Sequence, residues 1–326
     1  MTEIDSNSRP VLRLSEPEDL LSAIPYLLKY HPTDSLVFLL LSGRRLVLTA
    51  RIGHDPEEEL DCAAIGRYLS RLCTDHGADG VILVAYCADP GEGSALLIDV
   101  MMALESVMVH HALVADGSRW WSCLCDHDED DCDCDAGTVY DSTSSAVAAQ
   151  AVLAGISPMP SRDALAESVA GPSDATDRAA AATAIEGALS ALSDLDLGER
   201  CDRMAILVER HCMSGGPLTG EEYAELAVLA YEGAVRDVAV ARMRPDDAAA
   251  HVALWRQVVD RTVAPFESAP LCLLGLAAWI SGNGALQVVC MERAERINPD
   301  YSLLRILDEI NNRALPPSVW DELRSA

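Results

Sequence analysis

The stretch from Trp120 to Gly137 reads WWSCLCDHDEDDCDCDAG and holds the densest set of metal-binding and redox-capable side chains in the chain. Cys123 and Cys125, then Cys132 and Cys134, form two Cys-x-Cys pairs around an acidic loop that also contains His127. Residues two apart in an extended segment share a face, so each pair would point together. A hairpin joining the pairs could hold zinc through four thiolates, or through three plus His127. Such an ion would also offset repulsion among Asp126, Asp128, Glu129, Asp130, Asp131, Asp133 and Asp135. The spacing departs from the usual Cys-x2-Cys knuckle, and the six residues between the pairs make a tight loop. Two other readings stand beside zinc: a solvated loop with free or redox-active thiols, and a disulfide from Cys125 to Cys132 or Cys134. Calcium fits worse. Asp126, Asp128 and Asp130 copy the start of an EF-hand loop, but Asp131 stands where that loop needs glycine and Gly137 where it needs a bidentate glutamate.

Other candidates carry less chemistry. Asp89-Pro-Gly91-Glu-Gly93-Ser94 leads into a helix and could cradle a phosphate. It lacks both the dinucleotide fingerprint and a P-loop lysine, and its acids would repel an anion, so it reads as a connecting turn. His31, His54, His76, His110, His111, His211 and His251 are conceivable bases, yet none lies in a nucleophile elbow or a His-Glu-x-x-His helix. His110 and His111 are expected at a helix end, where a cation would meet the dipole favourably. Arg119, Trp120 and Trp121 could form a stacking platform for a partner; the plainer arrangement puts one ring in the core and the other under a helix.

The elements that would position these residues fall into two halves. A helix is expected from Ser15 through Leu28, opened by a hydroxyl cap and Pro17 and bent at Pro25. Apolar runs at 36–41 and 46–52 around Ser42-Gly43-Arg44-Arg45 read as a β-hairpin. A helix over 57–75, a buried strand over 81–86, a helix over 94–110, and strands opening at 112 and 119 follow. This ββαβαβ order predicts an α/β domain with a mixed sheet over residues 1–154, carrying the Cys/Asp-rich loop 122–137. Residues 155–177, rich in proline and glycine, read as a linker with one short helix near 162–169. An all-α domain is expected over 178–326, with helices at 178–195, 200–213, 220–243, 245–263, 270–281, 285–297 and 301–311 and a last turn after Pro317. Leu274-Gly275, Gly282, Ala294 and Pro299 fall at tetratricopeptide-like intervals, although Gln287 stands where that pattern has alanine. The favoured reading of that stretch is an ordinary helical hairpin.

The chain has 326 residues, 52 acids against 24 bases, and a formal charge of −28. That surface repels phosphate backbones and anionic headgroups, so neither a nucleic acid nor a membrane is expected as partner. The opening MTEIDSNSRP has no basic start and no apolar run, and no apolar stretch is long enough for a bilayer, so a cytoplasmic location is expected. There the eleven cysteines should mostly be thiols. Cys62, Cys73, Cys87, Cys201, Cys212, Cys272 and Cys290 read as small core residues.

Several stretches also resemble a known family. They are Leu14-Ser-x-Pro17-Glu-Asp-Leu20, Ile24-Pro25-Tyr26-Leu27-Leu28 and Pro32-Thr-Asp34-Ser35-Leu36-Val37, then Asp116-Gly117-Ser118-Arg119-Trp120-Trp121-Ser122 with Cys125, and Pro160-Ser161-Arg162-Asp163-x-Leu165. Trp279-x-x-Gly282-x-Gly284-Ala285 and Pro299-Asp300-Tyr301-Ser302-Leu303 complete the set. In this order they resemble an actinobacterial family known as domain of unknown function 4192, for which the resemblance implies no activity. Members usually carry a Gly-Phe where this chain has Lys29-Tyr30, and a compact Cys-Cys-Pro where it has Cys132-Asp133-Cys134-Asp135. By that resemblance Cys125, Cys132 and Cys134 are the family-like thiols and Cys123 is particular to this chain. The better metal version then becomes three thiolates, with His127 or an aspartate as fourth ligand and zinc as the candidate ion.

The favoured expectation is a non-catalytic binding or regulatory protein whose helical half contacts a protein partner. The alternative is a metal-binding or thiol-redox enzyme or sensor centred on the 123–135 cysteines; a hydrolase or nucleotide enzyme using the Gly91–Ser94 loop ranks third. Oligomeric state is open.

Overall fold

The computed structural model describes residues 16–54, 60–124, 136–143, 145–153 and 157–324. The chain divides into two compact units, Met1–Ser161 and Arg162–Ala326.

The first unit is an α/β fold. Its elements run α1 (Pro17–Leu28), β1 (Ser35–Ser42), β2 (Arg45–Gly53), α2 (Cys62–His76), β3 (Gly80–Tyr86), α3 (Pro90–Met102), β4 (Met108–Ala115), β5 (Arg119–Ser122), β6 (Thr138–Val139) and α4 (Ala146–Leu153). The six strands form one sheet in the order β2-β1-β3-β4-β5-β6. Among the six described strands β3 and β4 pair in parallel and the other strand pairings are antiparallel. The sequence explains the arrangement. Val81-Ile-Leu-Val-Ala-Tyr86 is buried along its whole length and takes a central place, while β2, exposed or half-exposed throughout, lies at an edge. The connection from β3 through α3 to β4 is the βαβ crossover that a parallel pair requires.

Two expectations about this half are corrected. The helix expected over 94–110 ends at Met102, with Ala103 as its cap and a reversal at Ser106, whose φ is 56°. Met108 then begins a strand, so His110 and His111 sit in β4 and meet no helix dipole. The side-chain-free Gly80 on β3 leaves room for the His110 ring. The hydroxyl cap assigned to Ser15 lies outside the described residues; α1 is preceded by Glu16, which makes no side-chain cap bond.

The second unit is helical: α5 (Arg162–Glu167), α6 (Ala175–Leu192), α7 (Leu197–Cys212), α8 (Gly220–Tyr231), α9 (Gly233–Val240), α10 (Ala248–Val259), α11 (Ser268–Ile280), α12 (Gly284–Ile297), α13 (Ser302–Asn312), a 3-10 turn at Pro317–Val319 and α14 (Trp320–Leu323). Every residue of α11 is buried, and α8, α10, α12 and α13 pack around it. Side-chain caps fix the starts: Asp196 with Glu199 and Thr219 with Glu222 form capping boxes, and Asp174 and Asn283 cap α6 and α12.

Residues 162–177, assigned to a connector from composition, contact this unit. Arg162 pairs with Glu292, Arg256 donates to the Ser168 carbonyl and hydroxyl, and Arg293 donates to the Val169 carbonyl. The single helix expected over 220–243 is broken at Glu232, whose backbone is extended (φ −84°, ψ 116°), with Gly233 opening α9. α11 and α12 make a helical hairpin across residues 281–283, and a Cβ on Gly275 would stand only 3.4 Å from the Cys290 Cβ. The tetratricopeptide likeness rests on spacing alone. Among the described residues no helix is long and apolar enough to cross a membrane.

Candidate functional site

Because β3 and β4 are parallel, the loops after Tyr86 and Ala115 leave from the same edge of the sheet. This carboxyl edge is where open α/β sheets most often bind ligands. Register builds a row across it: Ser35 lies opposite Tyr86, Tyr86 opposite Ala115, Ala115 opposite Trp120 and Trp120 opposite Thr138. Paired residues share a face, so these side chains stand together. The Trp120 indole N–H donates to the Glu18 carboxylate at 3.2 Å, which puts the first turn of α1 over that face. The opposite face carries Val114 and Trp121, and Gly93 of α3 packs against Val114 there.

Ser35, Tyr86 and Ala115 of the row are buried, Trp120 is half-buried and Thr138 is exposed. The Ser35 hydroxyl and the Tyr86 phenol are buried without a hydrogen-bond partner. Burial, reinforced by nearby Tyr140, pushes the Tyr86 phenol well above its ordinary value; burial and the Asp116 carboxylate push Tyr140 up to about 12. Both phenols are therefore neutral at physiological pH. Burial disfavours the Asp116 carboxylate, but donation from the Ser118 and Arg119 N–H groups (2.7 Å each) and the Ser118 hydroxyl (2.9 Å) holds it below the usual range.

Arg119, Trp120 and Trp121 are each half-buried and engaged. Arg119 Nη1 donates to the carbonyls of Ala136 (2.6 Å) and Gly137 (3.0 Å), tying β5 to the residues before β6. Trp121 lies so close to Gly137, at φ 67°, that a side chain there would strike the indole. β5 ends at Ser122, and Cys123 begins a turn in which its N–H donates to the Ala112 carbonyl at 2.8 Å. Burial pushes the Cys123 thiol up, partly offset by the Ser94 hydroxyl. Cys125, His127, Cys132 and Cys134 lie outside the described residues. Among the described residues no three His, Cys, Asp or Glu side chains are grouped to hold a metal, and the cysteines there are free thiols.

The start of α3 is no phosphate cradle. Asp89 Oδ1 already accepts from the N–H groups of Gly91 (2.7 Å) and Glu92 (3.2 Å), and its charge would oppose an anion. Of the sequence-named histidines, His251 is the most enclosed, 1% exposed, with Nε2 3.7 Å from Asp247. Nδ1 of both His251 and His211 is buried without a partner. Burial also pushes the nearby Cys212 thiol up to about 12, with the Asp247 carboxylate adding to the effect.

Sequence reading did not single out one surface feature of the helical unit. α6, α7 and α8 enclose a shallow recess with Leu189, Leu192, Val228 and Leu229 as its apolar lining and Arg200 and Glu232 at its margin. Leu192 and Leu229 are buried, whereas Leu189 is 44% exposed. Arg200 pairs with Glu232 at 3.3 Å and donates to the Leu192 carbonyl at 3.3 Å. The signal was legible: Ala181, Ile185, Ala188 and Leu192 form the core stripe of α6, and Leu189 is an apolar residue beside that stripe.

No curated protein and no solved structure matches the chain. A family model does, described as "Domain of unknown function (DUF4192)" and covering residues 17–318. Two of the stretches that carry the likeness, 32–37 and 116–122, meet in the Ser35–Tyr86–Ala115–Trp120 row. With a match running from the first turn of α1 to the last turns of the helical unit, the chain belongs to the DUF4192 family.

Proposed function

We propose that this protein is a non-catalytic binding protein whose helical unit engages a protein partner. The observation that carries the reading is the recess between α6, α7 and α8, where Leu189 stays exposed above buried Leu192 and Leu229. A solvated leucine at the lip of an apolar depression contributes to stability only when something covers it, and a partner side chain is the natural cover. The polar row of the first unit supports the non-catalytic half of the reading. The Tyr86 phenol and nearby Tyr140 stay protonated near neutrality, so neither offers a phenolate base there, and Asp116 already accepts three hydrogen bonds at one oxygen.

The test is site-specific photo-crosslinking in cells that make the protein. A benzophenone amino acid at Leu189 is compared with the same group at Ile306, a somewhat more exposed apolar position on α13. The expected result is a discrete crosslinked protein from position 189 and none from 306. Equal, diffuse crosslinking at both positions, or none at 189, overturns the reading.

A further inference from the structure

We infer that the recess receives a basic amphipathic helix, with one bulky apolar side chain seated over Leu192 and Leu229. The inference rests on the partner-binding reading above and specifies the partner's chemistry.

Three observations lead to it. The apolar lining is short, a few side chains across, which suits a single anchor rather than a broad hydrophobic interface. The walls are helices, and among the described residues of this unit no strand edge is present to pair with an extended peptide, so helix-in-groove docking is the mode that suits it. The lining itself holds one arginine and one glutamate, Arg200 and Glu232, and exposed carboxylates flank it along the chain. Glu186 lies one turn before Leu189 on the same stripe of α6, and Asp194 follows Ser193 of the lining. Asp196 lies one turn before Arg200 in α7's first turn; all three carboxylates are exposed. The one cation in the lining, Arg200, is already engaged by Glu232 and the Leu192 carbonyl, so it offers little to an acidic visitor.

Residues 162–326 carry 26 acids against 15 bases, a net of −11 that raises the encounter rate of a cationic segment and lowers that of an anionic one. Lysine or arginine residues on either side of an apolar anchor would face Glu186 and Asp194, while the anchor covers the exposed flank of Leu189. The same field excludes an acidic helix, which would set like charges around a depression too small to compensate by apolar burial alone.

The experiment uses the full-length protein and a fluorescein-labelled 18-residue peptide of leucine and lysine with leucines at helical spacing. The same peptide with glutamate replacing lysine is the comparison. Binding is read by fluorescence anisotropy at low and moderate salt. The expected result is binding of the lysine peptide only, weakened as salt rises. Glu186→Gln with Asp194→Asn should weaken it roughly tenfold, and Leu189→Ser should weaken it similarly. Glu295→Gln with Asp308→Asn, and Ile306→Ser, alter exposed positions on α12 and α13 and should change it little. Circular dichroism melts confirm that each variant is folded.

The inference is overturned if the control pair weakens binding as much as the recess pair, which would show bulk charge alone. It is also overturned if the glutamate peptide binds as well, or if neither peptide binds. A crosslinked partner at position 189 that lacks a basic helix would leave the partner-binding reading standing and remove this one. Absence of any crosslink at 189 would remove both.

Discussion

Gly66 and Gly187 both sit inside helices, yet the same substitution to alanine should move stability in opposite directions. On α2, a Cβ at Gly66 would stand 2.5 Å from the Ala103 Cβ and 2.6 and 2.7 Å from that residue's carbonyl oxygen and carbon. Comfortable carbon contacts lie near ~3.5–4.0 Å, so α2 or the turn at Ala103 must retreat by about an ångström. The turn is held: Ala103 N–H donates to the Asp99 and Val100 carbonyls, and Glu105 N–H donates at 3.1 Å to the Ser70 hydroxyl. That hydroxyl donates in turn to the Gly66 carbonyl at 2.9 Å. Overpacking against backbone costs about 1–3 kcal/mol, and loosening the Ser70 bridge adds about 0.5–1.5. Alanine's helix preference returns only about 1. Gly66→Ala is therefore expected to destabilise the first unit by about 1–3 kcal/mol, lowering its melting temperature by several degrees.

Gly187 is exposed in the middle of α6 with nothing within 4 Å of the added methyl. There the propensity gain stands alone, so Gly187→Ala should stabilise by about 0.5–1 kcal/mol. Urea unfolding followed by circular dichroism reads both changes. Native-state hydrogen exchange assigns them, to α2 and α3 in one variant and to α6 in the other. A Gly66→Ala protein as stable as the parent, or more so, would refute the close approach of α2 to the Ala103 turn and the reasoning built on it.

Other consequences are as direct. Lys29 caps α1 at φ 67°, a left-handed conformation that costs a side-chain-bearing residue about 1–2 kcal/mol, while glycine loses about 0.5–1 in chain entropy. Lys29→Gly should thus raise the urea midpoint of the first unit slightly, and a lower midpoint would count against the cap. His251 has its affinity for a proton lowered mainly by burial, against the pull of Asp247 and with nearby His211 adding to the lowering. The unfolded chain then binds the proton more readily. The contribution of neutral His251 is complete above its ordinary value of 6.5 and is lost as pH falls below it. The wild type should lose stability from pH 7 to 5 more steeply than His251→Gln, and parallel pH profiles would refute this. Zinc, if the purified protein carries it, should remain at the same stoichiometry in Cys123→Ser but fall in Cys132→Ser, because Cys123 is tied into the turn after β5 beside Ser94. Elemental analysis decides. Cys272, pushed up to about 12 by burial, and fully buried Cys290 should resist alkylation until urea is added.

What the sequence could reveal follows from the range of the interactions involved. The buried run at β3 and the hairpin around Gly43 are set by residues a few positions apart, and local pattern found them. The failures lie where distant partners decide. Met108 to His111 carries a pattern that continues the α3 helix, but pairing with β3 and the space above Gly80 make it a strand. The helix from Gly220 breaks at Glu232, whose carboxylate meets Arg200 on α7. The polar row could not be read from sequence, since Ser35, Tyr86, Ala115 and Trp120 become neighbours only through the order β1-β3-β4-β5. That order also gives the family likeness a physical sense. Stretches 32–37 and 116–122 lie about eighty residues apart in the chain. They supply the two ends of one row, which Glu18 of the α1 stretch closes through the Trp120 indole. Residues that must meet in this way constrain one another, whereas Leu189 and its acidic neighbours lie on a surface that folding alone would tolerate as polar.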